Sequence, residues 1–300
     1  IIHLIAIARR SRIRLTMDKL DEIGRKVPVI ANIRPSGKEY LMEDFYYAGG
    51  ILSLMYQLSD ILNINETTVT GKKIKEIIKK QNPVNYDSIR PIDNPIYKEG
   101  SLAVLKGNLA PDGCVIKPAA CEKKFLKHKG PVIVFDSYPE MNKIIDSDDL
   151  DVSENHVLVL RNVGPVGGPG MPEWGMIPIP KKLLIKGVRD MVRISDARMS
   201  GTSYGACILH VAPESYIGGP LSLLKTGDIV EIDVNKRSIN MLVDNKTLQK
   251  RKSNLVQKKP KAGRGWLWMY SNHVKQANEG CDFDFLETDF GNSAKEPDIF

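Results

Sequence analysis

The sequence predicts an α+β chain, rich in helix over its first ninety residues and rich in short strands from there on. Three observations predict it. Residues 1–90 alternate helix-like apolar spacing with brief apolar runs. Residues 81–100, QNPVNYDSIRPIDNPIYKEG, carry three prolines and little periodicity, and read as an interdomain connection. From residue 101 onward, many short β-rich runs separated by Gly, Pro, Asn and Asp indicate a barrel or sandwich with helices packed outside it.

The elements follow in order. Ile1, Ile2, Leu4, Ile5 and Ile7 are spaced as one face of a helix that is cut at its start, so the chain reads as a fragment. Thr16 is placed to cap a helix over 17–26, with Asp18 in its first turn. PVIANI at 28–33 is a short apolar run ended by Pro35, Ser36 and Gly37. Residues 41–47 and 51–62 read as helices split by Gly49 and Gly50, and Gly71 precedes a further helix, KKIKEIIKK. The strand candidates are LAVLKGNL, GCVIKPA, GPVIVFDS, HVLVLRNVG, RDMVRISD, GDIVEIDV and SINMLVD. ACILHVA reads as the core of a helix, residues 245–264 as a polar segment, and GWLWMYSNHVKQANEGCDFDFL as a compact aromatic end.

Composition is that of an ordinary globular chain, 42% hydrophobic and 26% charged. No stretch is long and apolar enough to predict a transmembrane helix, and the basic residues follow the apolar start, the reverse of a signal peptide. Residues 246–264 hold eight basic residues and no acidic one, so without them the formal charge of +7 would fall to −1. That run lacks interleaved aromatics and reads as a solvated linker rather than a nucleic-acid patch. Cys114, Cys121, Cys207 and Cys281 form no CxxC and match no zinc or ferredoxin spacing, so they are expected as free thiols in a reducing cytoplasm. His210 lies among apolar residues and reads as a satisfied core residue.

Two segments are candidates for chemistry. The loop GPVGGPGMPEWGMIPIP, 164–180, has a path fixed by glycine and proline and holds Glu173 in its middle. A carboxylate there suits a hard cation, although a metal site needs several oxygens and a solvated Glu on a surface turn is the plainer reading. The second segment is RISDARMSGTSYGACILHVAPES, 193–215, where hydroxyls lie between a strand and the expected helix. Backbone N–H groups at a helix start favour negative charge, which lowers the cost of an alkoxide; plain N-capping competes with that reading. Gly201 to Gly205 also match G-x-S-x-G, with Asp228 or Asp233 and then His273 downstream in serine-hydrolase order. Five residues separate that pentapeptide from the strand, which the nucleophile elbow does not tolerate.

Together these blocks resemble the dihydroxy-acid and sugar-acid (IlvD/Edd) dehydratases. PSGKEYLMEDFYYAGG, LKGNLAPDGCVIKPAA, VLVLRNVGPVGGPGMPEWGMIPIPKKLL, RISDARMSGTSYGACILHVAPES, GGPLSLLKTGDIVEIDV and HVKQANEGCDFDFLETDFG carry the resemblance, in order, over nearly the whole chain. The forms MPEWGM and SDARMSGTSYG are closer to the arabinonate type than to the branched-chain enzyme.

The resemblance implies a hydro-lyase that converts a 2,3-dihydroxy acid, an aldonic sugar acid such as arabinonate, to a 2-keto-3-deoxy acid. It implies that Ser200, ionised, is the catalytic base, that Thr202 lies close to the substrate and that Glu173 is a ligand of Mg2+. It implies an iron–sulfur cluster, 2Fe-2S or 4Fe-4S, whose cysteine ligands lie upstream of the region matching Ile1 and are absent from this chain. Residues 1–94 would be the end of the α/β cluster-bearing domain, and 95–300 a β-barrel-like domain with flanking helices. A homodimer or homotetramer, a small-molecule substrate, and no nucleic-acid or membrane partner complete the expectation. An inactive truncated paralogue that binds a partner, and a branched-chain dihydroxy-acid dehydratase, remain open beside it.

Overall fold

Local sequence accounts for the first helices of the computed structural model, which describes residues 1–78, 81–201, 203–256, 258–259 and 262–286. Ile2, Ile5 and Ala8 form the buried face of α1 (Ile2–Arg10). The Thr16 hydroxyl caps α2 (Met17–Gly24) by accepting the Lys19 N–H at 3.2 Å. This helix ends two residues before the expected position 26. α3 (Met42–Tyr47) and α4 (Gly50–Gln57) are split where expected, because Gly49 takes a φ of 119° that glycine reaches without a Cβ clash. α4 stops well short of residue 62. The lysine-rich run from residue 72 is helical only over α5 (Ile74–Ile77); Ile78 is already extended, and residues 79–80 lie outside the described ones.

From residue 103 the chain builds one eight-stranded sheet. Its strands are β1 (Ala103–Leu105), β2 (Gly113–Ile116), β3 (Lys127–Phe135), β4 (Val157–Leu160), β5 (Arg193–Ser195), β6 (Cys207–Ala212), β7 (Ile229–Asp233) and β8 (Ser238–Met241). They lie in the order β1-β2-β6-β5-β4-β3-β7-β8. β3, β4, β5 and β6 are parallel neighbours, and the remaining pairs are antiparallel. The two outer strands meet just past β1, where Lys106 donates to the Arg237 carbonyl at 2.9 Å and accepts from the Ile239 N–H at 3.0 Å. That contact curls the sheet into a nearly closed barrel flanked by helices, as the α+β reading expects.

Period two decides which side each residue serves. On β4, Val157 and Val159 join the cluster inside the barrel with Leu105, Ile116, Ile194, Ile208 and Ile239. Leu158 and Leu160 point the other way, into a second cluster with Phe135, Met141, Ile177 and Leu183. Met141 belongs to α6 (Tyr138–Ile144) and Leu183 to α7 (Lys181–Ile185), the helices that follow β3 and β4.

Two expectations are corrected here. ACILHVA is strand β6, not a helix core. It runs between β2 and β5 with apolar residues buried on both faces, so it shows a continuous apolar run that periodicity cannot tell from a helix. The polar segment 245–264 is not a bare linker either. It contains α8 (Asn245–Ser253), whose start is capped by Asp244, and Arg251 of that helix pairs with Asp228. α9 (Gly265–His273) supplies the aromatic end.

The first helices dock on the barrel. Ile2, Ile5 and Met17 pack with Val104 and Val115. Asp21 of α2 accepts the Val104 N–H at 3.0 Å and pairs with Arg237 at 2.9 Å. Burial alone would raise the Asp21 carboxyl, but Val104, Arg25 and Arg237 together hold it below the usual carboxylate range. Ile30, Phe45, Ala48, Leu58 and Ile89 make a separate small cluster. Among the described residues no helix is long and apolar enough to cross a membrane.

Candidate active site

β4 and β5 are adjacent and parallel, so the chain segments leaving their C-terminal ends emerge side by side. These are the Gly/Pro loop that carries Glu173 and the segment that carries Ser200. Clefts at the carboxyl ends of neighbouring parallel strands are where α/β sheets commonly bind ligands.

Arg198 ties the two segments together. Its Nε donates to the Met171 carbonyl at 2.6 Å and its Nη1 lies 2.9 Å from Glu173 Oε1. The Arg198 carbonyl accepts the Gly175 N–H at 2.8 Å. A Cβ at Gly175 would stand 2.7 Å from that carbonyl and 2.5 Å from Leu209, so the close approach requires glycine. Trp174 stacks on Tyr138 of α6 with ring centres 4.7 Å apart.

Beneath the loops lies a buried carboxylate pair. Asp196 accepts from the Ser215 hydroxyl at 2.6 Å and from the backbone N–H groups of Ser215, Val163 and Asn162. Glu214 accepts the Val166 N–H at 2.8 Å, the Gly167 N–H at 3.2 Å and the Gln276 amide at 3.0 Å. Burial raises the Asp196 carboxyl. Burial and the Asp196 charge push Glu214 up to about 7. The pair therefore fixes the path of residues 162–167 from below and anchors the segment that leads to Ser200.

Ser200 lies in a tight turn in which its carbonyl accepts the Ser203 N–H at 3.2 Å. Thr202 lies outside the described residues. The expected helix start next to these hydroxyls is absent, because the turn runs into β6. Among the described residues no helix therefore starts at this turn to lend it a dipole. Lys117, at the end of β2, instead donates to the Gly201 carbonyl at 2.6 Å and to the Ser203 carbonyl at 3.4 Å.

A cavity of about 520 Å³ opens beside the turn, lined by Met171, Arg198 and Met199 together with Lys117, His210 and Tyr270. Glu173 and Ser200 do not line it, and none of the described residues that do is acidic. His210 corrects the expectation of a satisfied core histidine. Its φ of 56° is left-handed, its Nδ1 is buried without a hydrogen-bond partner among the described residues, and burial pushes its pKa down to about 4. It is neutral at neutral pH.

The serine-hydrolase arrangement does not form among these residues. Asp228 pairs with Arg251, and His273 Nδ1 lies 2.9 Å from Asp284. Ser203 sits on a turn into a strand rather than a helix.

Glu173 supplies one carboxylate, which is exposed and paired with Arg198, and no group of three metal-binding side chains occurs among the described residues. One oxygen donor does not make a Mg2+ site by itself. The four cysteines do not suit a cluster. Cys121 donates to the Lys117 carbonyl at 3.0 Å and Cys114 to that of Leu105, and burial raises all four thiols, Cys207 to about 11 and Cys281 to about 12.

Sequence reasoning named Glu173 and Ser200, and the structure brings their segments together through Arg198. It passed over Arg198, Lys117, Asp196 and Glu214 as contributors. Arg198 and Asp196 stand within the SDARMS motif, which was a signal in plain view. Lys117 and Glu214 come from other strands and connections and left none.

Known proteins match the chain along most of its length. Residues 87–281 match the family model for the dihydroxy-acid/6-phosphogluconate dehydratase C-terminal region, and residues 1–77 match that for the N-terminal region. The chain is 48% identical to a 6-deoxy-6-sulfo-D-gluconate dehydratase of Pseudomonas putida, over 99% of this chain and 52% of the relative. It is 42% identical to an L-arabinonate dehydratase of Rhizobium leguminosarum, over 98% and 51% respectively. It is 38% identical to a dihydroxy-acid dehydratase of Caldicellulosiruptor bescii, over 94% and 50%. The chain thus spans about half the length of the curated relatives it matches. With matching blocks from the first helices to the end of the barrel, and the Glu173 and Ser200 segments joined at the ends of β4 and β5, this chain belongs to the dihydroxy-acid/6-phosphogluconate dehydratase family.

Proposed function

We propose that this chain supplies the base-bearing half of a hydro-lyase that removes water from an aldonic sugar acid. The observation that carries the reading is the Arg198 tie, which sets the Ser200 turn against the Glu173 loop at the mouth of two parallel strands. Sugar-acid dehydratases among the relatives, at 48%, 42% and 41% identity, support an aldonate over a branched-chain acid, since the dihydroxy-acid dehydratases among them stand at 37% to 40%.

In this reading Ser200, as its alkoxide, takes the proton from C2 of the substrate. The C2–H electron pair forms the C2–C3 double bond and the C3 hydroxyl leaves, so that one water is lost in total. The proton taken by Ser200 and the departing hydroxide together make up the water, and the enol then gains a proton at C3 and loses the one on its C2 oxygen, becoming the 2-keto-3-deoxy acid. Thr202 is assigned to substrate contact. Arg198, Asp196 and Glu214 hold the two loops so that the base and the substrate acid group meet in a fixed geometry.

Glu173 is the residue of this chain that would contribute to a Mg2+ site, as one carboxylate among ligands from elsewhere. An iron–sulfur cluster of the family would draw its ligands from outside these residues, since the thiols here are buried and protonated. We assign residues 1–94 to the end of the cluster-bearing domain and 95–300 to the barrel domain. A cytoplasmic homodimer or homotetramer without nucleic-acid or membrane partners fits the free thiols and the small-molecule substrate.

The test joins this chain to the part that its relatives carry in addition, and assays 2-keto acid formation on C5 and C6 aldonates and on 2,3-dihydroxyisovalerate. Turnover of an aldonate is expected. Strict preference for the branched-chain acid would overturn the substrate assignment, and no turnover of any acid would favour the inactive paralogue.

A further inference from the structure

A serine is a weak base at neutral pH, and it needs nearby positive charge to hold a useful fraction of alkoxide. The helix start that would provide part of that charge is not there, because residues 207–212 are a strand. The structure offers a different source. Lys117 projects from the end of β2 beneath the turn, and its ammonium donates to the carbonyls of Gly201 and Ser203, at 2.6 and 3.4 Å. Those two carbonyls bracket Thr202 and follow Ser200 directly in the chain.

No carboxylate pairs with Lys117 among the described residues. The titratable groups around it are the Cys121 and Cys207 thiols, with Arg198, His3, His210, Tyr270, Cys281 and the Ile1 amino group lining the same cavity. The thiols are protonated and His210 is neutral, so nothing described there neutralises the ammonium. A half-buried cation without a counter-ion is unfavourable unless an anion completes it. Two of its three N–H bonds are spent on the turn.

We propose that Lys117 is the positioning residue of the catalytic base: it holds the Ser200 turn through the Gly201 and Ser203 carbonyls and sets beside Ser200 the positive charge that favours the alkoxide. The proposal rests on the reading of Ser200 as the base. Burial also lowers the Lys117 pKa, so the charge that supports the alkoxide is itself lost at high pH.

Two measurements test it, and they separate its failure from that of the proposed function. In the complete dehydratase, Lys117→Met should lower kcat at least tenfold with little change in KM. Its acid limb in kcat against pH should move to higher pH by about one unit, the shift expected when a neighbouring charge is lost. Lys117→Arg should restore most of the rate and extend the basic limb upward, because a guanidinium does not lose its proton in that range. An acid limb in Lys117→Met at the wild-type pH, or an Arg variant no better than the Met variant, would overturn the proposal.

The second measurement needs no activity. Hydrogen exchange over residues 199–205 of the 300-residue chain should quicken in Lys117→Met and return to the wild-type rate in Lys117→Arg. If the complete wild-type protein dehydrates no acid, the proposed function falls and exchange alone decides the holding role. Unchanged exchange in Lys117→Met would then overturn it.

Discussion

The guanidinium of Arg198 stands 2.9 Å from the Glu173 carboxylate and 2.6 Å from the Met171 carbonyl, so the residue two positions before Ser200 is fastened to the loop that carries Glu173. Neither partner is buried, with side-chain exposures of 41% and 48%. An exposed ion pair contributes little to folding, about 1 kcal/mol at most. The tie therefore matters for geometry more than for stability.

Arg198→Gln is expected to leave the melting temperature within a few degrees of wild type while lowering kcat/KM on the best aldonate by about 10- to 100-fold, the scale of a misplaced catalytic group. Steady-state kinetics beside a thermal melt checks this. A variant with full activity would show that the loops keep their positions without Arg198.

Glu214 makes stability depend on pH in a definite direction. Its folded pKa, about 7, is raised above the ordinary 4.5, so the folded chain holds the proton more tightly than the unfolded chain. The stabilisation is complete below pH 4.5 and is lost as pH rises through 7. For a fully buried group, this shift corresponds to roughly 3 kcal/mol. His210 acts oppositely. Its pKa falls from 6.5 to about 4, so its contribution is present above 6.5 and is lost as pH falls towards 4. Between pH 6.5 and 7.5 the Glu214 contribution falls while that of His210, whose unfolded imidazole is still titrating, rises slightly, so Glu214→Gln should remove the decline in stability. Urea unfolding at the two pH values reads it, and an unchanged decline in the variant would contradict the assignment.

The 300-residue chain should purify colourless, without stoichiometric iron or acid-labile sulfide, since desolvation raises all four thiols and those of Cys114, Cys121 and Cys207 donate to carbonyls. Magnesium should bind it only weakly, with Kd above about 1 mM, because a single paired carboxylate is offered. Metal analysis and calorimetry check both. A brown protein after anaerobic purification would show that a cluster is held by residues of this chain.

Much of the barrel was legible because its strands hold short apolar runs, as in Val157–Leu160, although β3 begins before its apolar run and passes through Gly130 and Pro131. The misreading of β6 has a physical cause. Ile208 and Leu209 are both buried, one inside the barrel and the other against Gly175 and the cavity, so no alternation survives. The site was half legible. Glu173 and Ser200 stood in conspicuous motifs, but their proximity follows from β4 and β5 being parallel neighbours, a non-local fact. Lys117 reaches the Ser200 turn through the β2–β6 pairing, with Ile116 opposite Ile208, across more than eighty residues of chain. Nothing in the pentapeptide around either residue records that.

The most direct test of the account is dehydration of the best aldonate by Ser200→Ala and Ser203→Ala in the complete enzyme, with an ester assayed in parallel. Ser200→Ala should lower kcat by about 10²–10⁴-fold or more with the fold intact, as expected for removal of a general base. Ser203→Ala should retain most of the dehydratase rate, since the Ser203 contacts at the turn run through its backbone N–H and carbonyl. Near-normal dehydration by Ser200→Ala, or ester hydrolysis that is lost with Ser203→Ala, would contradict the assignment of Ser200 as the base.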